Sequence, residues 1–120
     1  MRLHNVLRFV VAAAVVSSVG AVSAADLGGY YGGSCVSYRQ STLPMQPLDV
    51  VKQTVWANFE SARDGMSNPS VQASRSPAFI WAMEARWACS AAVGYLDGGH
   101  LDEESVQKCD CFHARYVSFR

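Results

Sequence analysis

The chain has 120 residues, ten Lys and Arg against ten Asp and Glu, and a formal net charge of zero. That length suits one domain, and a chain with no basic excess argues against nucleic acid as a partner, which needs a basic face. A chain of this size buries a modest core, so covalent crosslinks carry weight in its stability.

The N-terminal segment reads as an export signal and not as part of the fold. Arg2 and Arg8 form a basic start, VVAAAVVSSVGAV is an apolar stretch, and AVSAAD offers small residues for cleavage after Ala24 or Ala25. The apolar run falls short of the roughly 18 residues that span a bilayer, and no basic stop follows it. Residues 1–24 are therefore expected to be removed, leaving a single domain over 25–120 in the periplasm or outside the cell. No later apolar stretch is long and uninterrupted enough to suggest a membrane span. The mature chain would keep eight Lys and Arg against ten acidic residues, a net charge of −2.

Residues 25–47 hold four glycines and two prolines, a composition that predicts an irregular arm. Tyr30, Tyr31 and Tyr38 are placed to pack it onto the body. Residues 48–63 repeat apolar side chains at Leu48, Val51, Val55, Phe59 and Ala62, spacings of three and four that predict an amphipathic helix. Gly65 suits its C-terminal cap. The polar stretch DGMSNPSVQASRS, Asp64 to Ser76, reads as a loop of about a dozen residues, a length often tied to function.

Ser76-Pro77 then has the chemistry of a helix start, Ser as N-cap and Pro at the first helical position. PAFIWAMEARWACSAAVGYL follows. A helix apolar on nearly every side is usually central and buried, with Trp81 and Trp87 in the core and Glu84 and Arg86 on an exposed edge. DGGH, Asp97 to His100, is a turn. Asp102 should cap a last helix from about Glu103 to Tyr116, with Glu103 and Glu104 complementing the helix dipole. Strand patterns are poor. The expected fold is all-α, a small disulfide-stapled bundle of about three helices with an irregular N-terminal arm.

The four cysteines, Cys35, Cys89, Cys109 and Cys111, all survive the expected cleavage, and an even count in a short exported chain reads as a disulfide framework. At about 100° per residue, Cys109 shares a helix face with Val106, Phe112, His113, Tyr116 and Val117, whereas Cys111 diverges from Cys109 by about 160°. Those two cannot comfortably bond to each other. In an antiparallel hairpin turning near Gly99, Cys89 and Cys109 lie at the same height, which favours Cys89–Cys109. By elimination Cys35–Cys111 would strap the arm across the last helix. The swapped arrangement, Cys35–Cys109 with Cys89–Cys111, remains open, since four cysteines allow three pairings.

Other chemistry for KCDCFH fits less well. Haem attachment needs C-x-x-C-H, and a thioredoxin-like site wants C-x-x-C at a helix N-terminus. Zinc or copper held by Cys109, Cys111, His113 and His100 is the alternative, since thiolate and imidazole are suitable ligands. It needs reduced cysteines that the wheel separates and an oxidising compartment removes. His113 reads better as a core histidine satisfied by a nearby carbonyl. No G-x-S-x-G elbow, phosphate loop or H-E-x-x-H motif occurs, so no catalytic residue and no cofactor is expected. Asp97, Asp102, Glu103 and Glu104 make an acidic cluster that suits a solvated helix start or a contact patch for a basic partner.

The segment Cys89-Ser-Ala-Ala-Val-Gly94-Tyr95-Leu-Asp-Gly98, followed by Cys109, resembles a pattern of small periplasmic immunity proteins. These are helical, disulfide-bonded partners of type VI secretion effectors, among them the amidase-immunity group. The resemblance covers roughly Ala82 to Tyr116 and implies a soluble inhibitor that plugs the cleft of a secreted cell-wall-degrading hydrolase. Such an inhibitor needs roughly 800 Å² of contact per partner, which a domain of this size can offer. The expected contact regions are the 64–76 stretch, with Asp64, Ser67, Asn68 and Arg75, and the acidic turn, with Asp97, His100, Asp102 and Glu103. Two other functions are compatible with the sequence: a metal-handling or redox protein using the Cys/His cluster, and an accessory subunit of an envelope assembly.

Overall fold

The computed structural model describes Cys35 and residues 38–120; the expected signal peptide and the arm tyrosines Tyr30 and Tyr31 lie outside the described residues. Among the described residues, four helices follow two short 3-10 turns, Tyr38–Gln40 and Leu43–Met45. We label them α1 (Leu48–Ser67), α2 (Pro69–Gln72), α3 (Ala78–Asp97) and α4 (Glu103–Phe119). The three long helices form an all-α bundle, and no strand occurs among the described residues.

Helix α3 is central. It packs along α4 and along α1, which touch each other less extensively. Its core stripe, including Ala78, Trp81, Ala85, Cys89, Ala92 and Leu96, recurs every three or four residues and is buried along its length. The small alanines let both neighbours approach closely. Trp81 fills the space between them and stacks at a tilt on Phe112 of α4, with ring centroids 5.8 Å apart. Near one end of the bundle Ala62, Trp81, Phe112 and Tyr116 share a cluster; toward the other Val51, Val55, Cys89, Val106 and Cys109 form a second. Ala88 packs against both. The other tryptophan departs from expectation. Trp87 lies on the outer face of α3 and is 68% exposed, because helical geometry turns it half a circle away from the stripe.

The first helix also differs from its sequence pattern. Its buried residues are Val51, Val55, Asn58, Ala62 and Gly65, whereas Leu48 is exposed. The helix passes through Gly65 to Ser67, so Gly65 is an interior contact and not a cap. The expected long loop is correspondingly short. Asp64 and Ser67 are helical, and Asn68-Pro69 marks the break: the Asn68 side chain accepts from the Ser70 N–H at 2.9 Å and caps the single turn of α2. Polar residues on the exposed side of a helix do not end it while the buried side continues through Ala62 and Gly65.

Helix α3 starts one residue later than Ser76-Pro77 predicts: Pro77 takes the N-cap place and Ala78 is the first helical residue. The Ser76 hydroxyl accepts from the Ala78 N–H at 3.4 Å and donates to the Phe119 carbonyl at 3.0 Å, tying the start of α3 to the end of α4. The α3–α4 turn closes as a Schellman arrangement: Gly99 N–H donates to Leu96 O at 3.0 Å and His100 N–H to Tyr95 O at 2.9 Å. Gly99 has φ 80°, the left-handed conformation that glycine adopts without penalty. Asp102 then caps α4, its carboxylate accepting from the Ser105 N–H at 2.9 Å.

The structure pairs Cys89 with Cys109 and Cys35 with Cys111, at Cα separations of 4.5 and 5.9 Å. The first bridge pins the α3–α4 hairpin inside the core. The second holds the arm against α4, where polar contacts continue the attachment. Ser41 donates to Asp110 at 2.5 Å, Gln107 donates to the Arg39 carbonyl at 3.3 Å, and Lys108 lies over the Tyr38 ring at 5.2 Å. Leu43 inserts into the core beyond them.

Candidate functional site

The two sequence-predicted contact regions lie at opposite ends of the bundle. The 64–76 region surrounds the start of α3, and the acidic turn follows its end, 20 residues and about 30 Å away along the helix axis. Asp64, Ser67, Asn68 and Arg75 are all exposed. They do not form a protruding loop: Asp64 pairs with its neighbour Arg63 at 3.1 Å, and Asn68 is committed to capping α2. This end carries a shallow cleft of about 220 Å³ lined by Asn68, Val71, Tyr116 and Phe119 among others.

At the acidic turn, Asp97 lines a larger feature. A groove of about 470 Å³ runs along the seam between α1 and α3. Lys52, Gln53 and Trp56 line it from α1, and Val93, Leu96 and Asp97 from α3. A smaller depression of about 130 Å³ adjoins it through Lys52 and Leu96 and adds Leu48, Gly99, His100 and Leu101. Trp56 is 48% exposed and Leu48 52%, so apolar surface is open to solvent along this seam. Antiparallel packing creates the groove. It brings residues one turn apart near the start of α1 against residues one turn apart near the end of α3.

Sequence reasoning found Asp97, His100, Asp102 and Glu103 at this end but missed Lys52, Gln53 and Trp56. The available signal was Trp56 itself, an indole placed off the apolar stripe of its own helix. Asp102 is held below the ordinary carboxylate range, first by its hydrogen bonds from Ser105 and then by nearby His100 and Lys108. The Asp102 carboxylate therefore stays anionic to lower pH than an ordinary aspartate.

The Cys/His cluster is divided by the fold. Cys109 and Cys111 bond to different partners, so neither offers a thiolate in this state. His113 is half-buried, with Nε2 3.0 Å from the Ser61 hydroxyl, a side-chain partner where a carbonyl was expected. Burial, with help from Arg120, pushes its pKa down, and Asp110 opposes this. His100 lies at the groove instead. Among the described residues no group of three or more His, Cys, Asp or Glu could hold a metal ion. Also among them, no helix is long and apolar enough to cross a membrane.

Comparison with protein families, with curated proteins and with solved structures finds no match to this chain.

Proposed function

We propose that the chain is an exported binding protein, an immunity or inhibitor protein that neutralises a secreted cell-wall-degrading hydrolase. The observation that carries this reading is the double disulfide clasp. Both bridges end on α4 two residues apart, one reaching to α3 and the other to the arm, where Cys35 is itself buried in the cluster of Trp81 and Phe112 rather than strapped across the outside. Disulfides of this kind persist in an oxidising compartment. A scaffold fixed on both sides of one helix loses little conformational freedom on binding, which favours tight inhibition of a rigid enzyme cleft. The Cys89–Gly98 segment and Cys109, which carry the resemblance to periplasmic immunity proteins, form the pinned hairpin.

The test is co-expression in the periplasm with a peptidoglycan amidase encoded in the same gene neighbourhood. Cells should survive the amidase when the chain is exported and lyse when its signal segment is deleted. Lysis in both cases, with the exported chain folded and oxidised, would reject the reading.

A further inference from the structure

We propose that the α1–α3 seam is a docking groove for a protein segment that presents an apolar anchor flanked by lysines or arginines; this rests on the binding-protein reading above. The Trp56 indole and the Leu48 side chain are exposed along the groove, which the partly buried Val93 and Leu101 and the buried Leu96 also line. Fully exposing such side chains is unfavourable, and a row of them along one groove suits the apolar side of a partner.

The charge around the groove selects the partner. Asp97 lines it, Asp49 follows the lining residue Leu48, and Asp102 and Glu103 follow the lining residue Leu101. The two charged lining residues, Asp97 and Lys52, offset each other, so the negative excess comes from the neighbours Asp49, Asp102 and Glu103, of which Asp102 also feels Lys108. The remainder of residues 38–120 holds seven Lys and Arg against five acidic residues. Negative charge is thus concentrated on the end that also exposes apolar surface. A second copy would bring two negative rims together, and an anionic membrane would be repelled by the same field. A cationic segment gains in both encounter rate and register.

The probes are two synthetic 18-residue amphipathic helices, one of leucine and lysine, the other identical except for glutamate at every lysine. Binding to the oxidised chain and to each variant is followed by the backbone amide resonances of Lys52, Gln53 and Val93, which line the groove, in two-dimensional NMR. The lysine peptide should bind more tightly than the glutamate peptide by roughly tenfold or more at low salt, and that advantage should shrink as ionic strength rises. Trp56→Ala should weaken lysine-peptide binding by roughly tenfold, since interface energy concentrates on buried aromatic anchors. The triple variant Asp49→Asn, Asp97→Asn, Glu103→Gln should remove the preference between the peptides. Trp87→Ala, on the outer face of α3, should change neither affinity.

Equal affinity for the two peptides, no binding of the lysine peptide, or undiminished binding by Trp56→Ala would each overturn the proposal. So would a dimer in sedimentation that Trp56→Ala dissociates. Circular dichroism and thiol counting on each variant keep loss of folding separate from loss of the groove. The peptide readout does not involve a hydrolase. Intact peptide binding with no protection of cells would reject the inhibitor reading alone, and protection without peptide binding would reject the groove alone.

Discussion

Two glycines in long helices should respond to the same substitution with opposite signs. Gly65 in α1 is buried, and a methyl group there would overlap the hydroxyl end of Tyr116 and lie 3.0 Å from its Cε2. Tyr116 is 3% exposed and sits under the Arg120 guanidinium, 5.7 Å from the ring centroid, so it has little room to withdraw. Alanine gains about 1 kcal/mol over glycine in a helix interior, while overpacking a tight core costs about 1–3 kcal/mol. Gly65→Ala should therefore be destabilising by up to about 2 kcal/mol. Gly94 in α3 is exposed, and a methyl group there meets nothing within 4 Å. Gly94→Ala should be stabilising by about 0.5–1 kcal/mol, the helix-propensity gain alone. Urea unfolding with both disulfides intact measures each change, and an unaltered denaturant slope confirms that the comparison is of stability. Combining Gly65→Ala with Tyr116→Leu, which vacates the space, should reveal a favourable coupling of about 1 kcal/mol. Equal stability of the two alanine variants, or coupling below about 0.5 kcal/mol, would refute the packing argument.

The bridges should differ in what their loss costs. They enclose 20 and 76 residues of sequence separation and are nested, so chain entropy assigns about 3 kcal/mol to Cys89–Cys109 and about 4 kcal/mol to Cys35–Cys111. Paired alanine substitution at the inner bridge should cost more than its entropic share, because both cysteines are fully buried; urea midpoints of the two double variants report this. Asp102→Ala should cost about 1 kcal/mol through the lost α4 cap. Since its carboxylate is held below the ordinary range, the cap contributes at neutral pH and fades as pH falls through its folded value, an effect kept small by solvent exposure. His113 has a folded pKa below its unfolded one. The unfolded chain then binds more protons in that window, so stability should fall as pH drops from the ordinary histidine value toward the folded value. Unfolding series at several pH values should show that slope in the parent chain and a smaller one in His113→Asn.

The helical framework was legible because its signals are local or nearly so. Asp102, Ser76-Pro77 and Gly99 act within a few residues of themselves, and a cap or left-handed turn needs no tertiary partner to be recognised. The cysteine pairing was legible for a related reason. A two-residue step on a helix fixes opposite directions for Cys109 and Cys111, and a hairpin fixes their heights relative to Cys89. The end of α1 was not legible. Glycine at position 65 and a polar run beyond it look like a stop when read locally. The reason for glycine there is tertiary: Tyr116 packs where a side chain at residue 65 would otherwise stand.

The groove was hidden by a similar dependence on distant residues. Lys52, Gln53 and Trp56 follow no recognisable motif, and Val93, Leu96 and Asp97 lie inside what reads as one apolar helix. Only the crossing of α1 with α3 makes them a surface. The acidic turn was visible, yet its reading changed with its surroundings: beside a helix start alone it is a solvated cap, and beside an exposed indole it becomes one edge of an apolar channel. The tryptophans mark the difference most clearly. Trp81 lies on the face that α1 and α4 enclose and is fully buried, whereas Trp56 and Trp87 lie beyond it. Periodicity assigns a side chain to a face, but the number of neighbours on that face determines whether it is core, bare surface or a place for another molecule to bind. For Trp56 the second helix forms half of an enclosure and leaves the other half open. An apolar partner segment completes that enclosure, which is why the loss of Trp56, and not of Trp87, should be felt in binding.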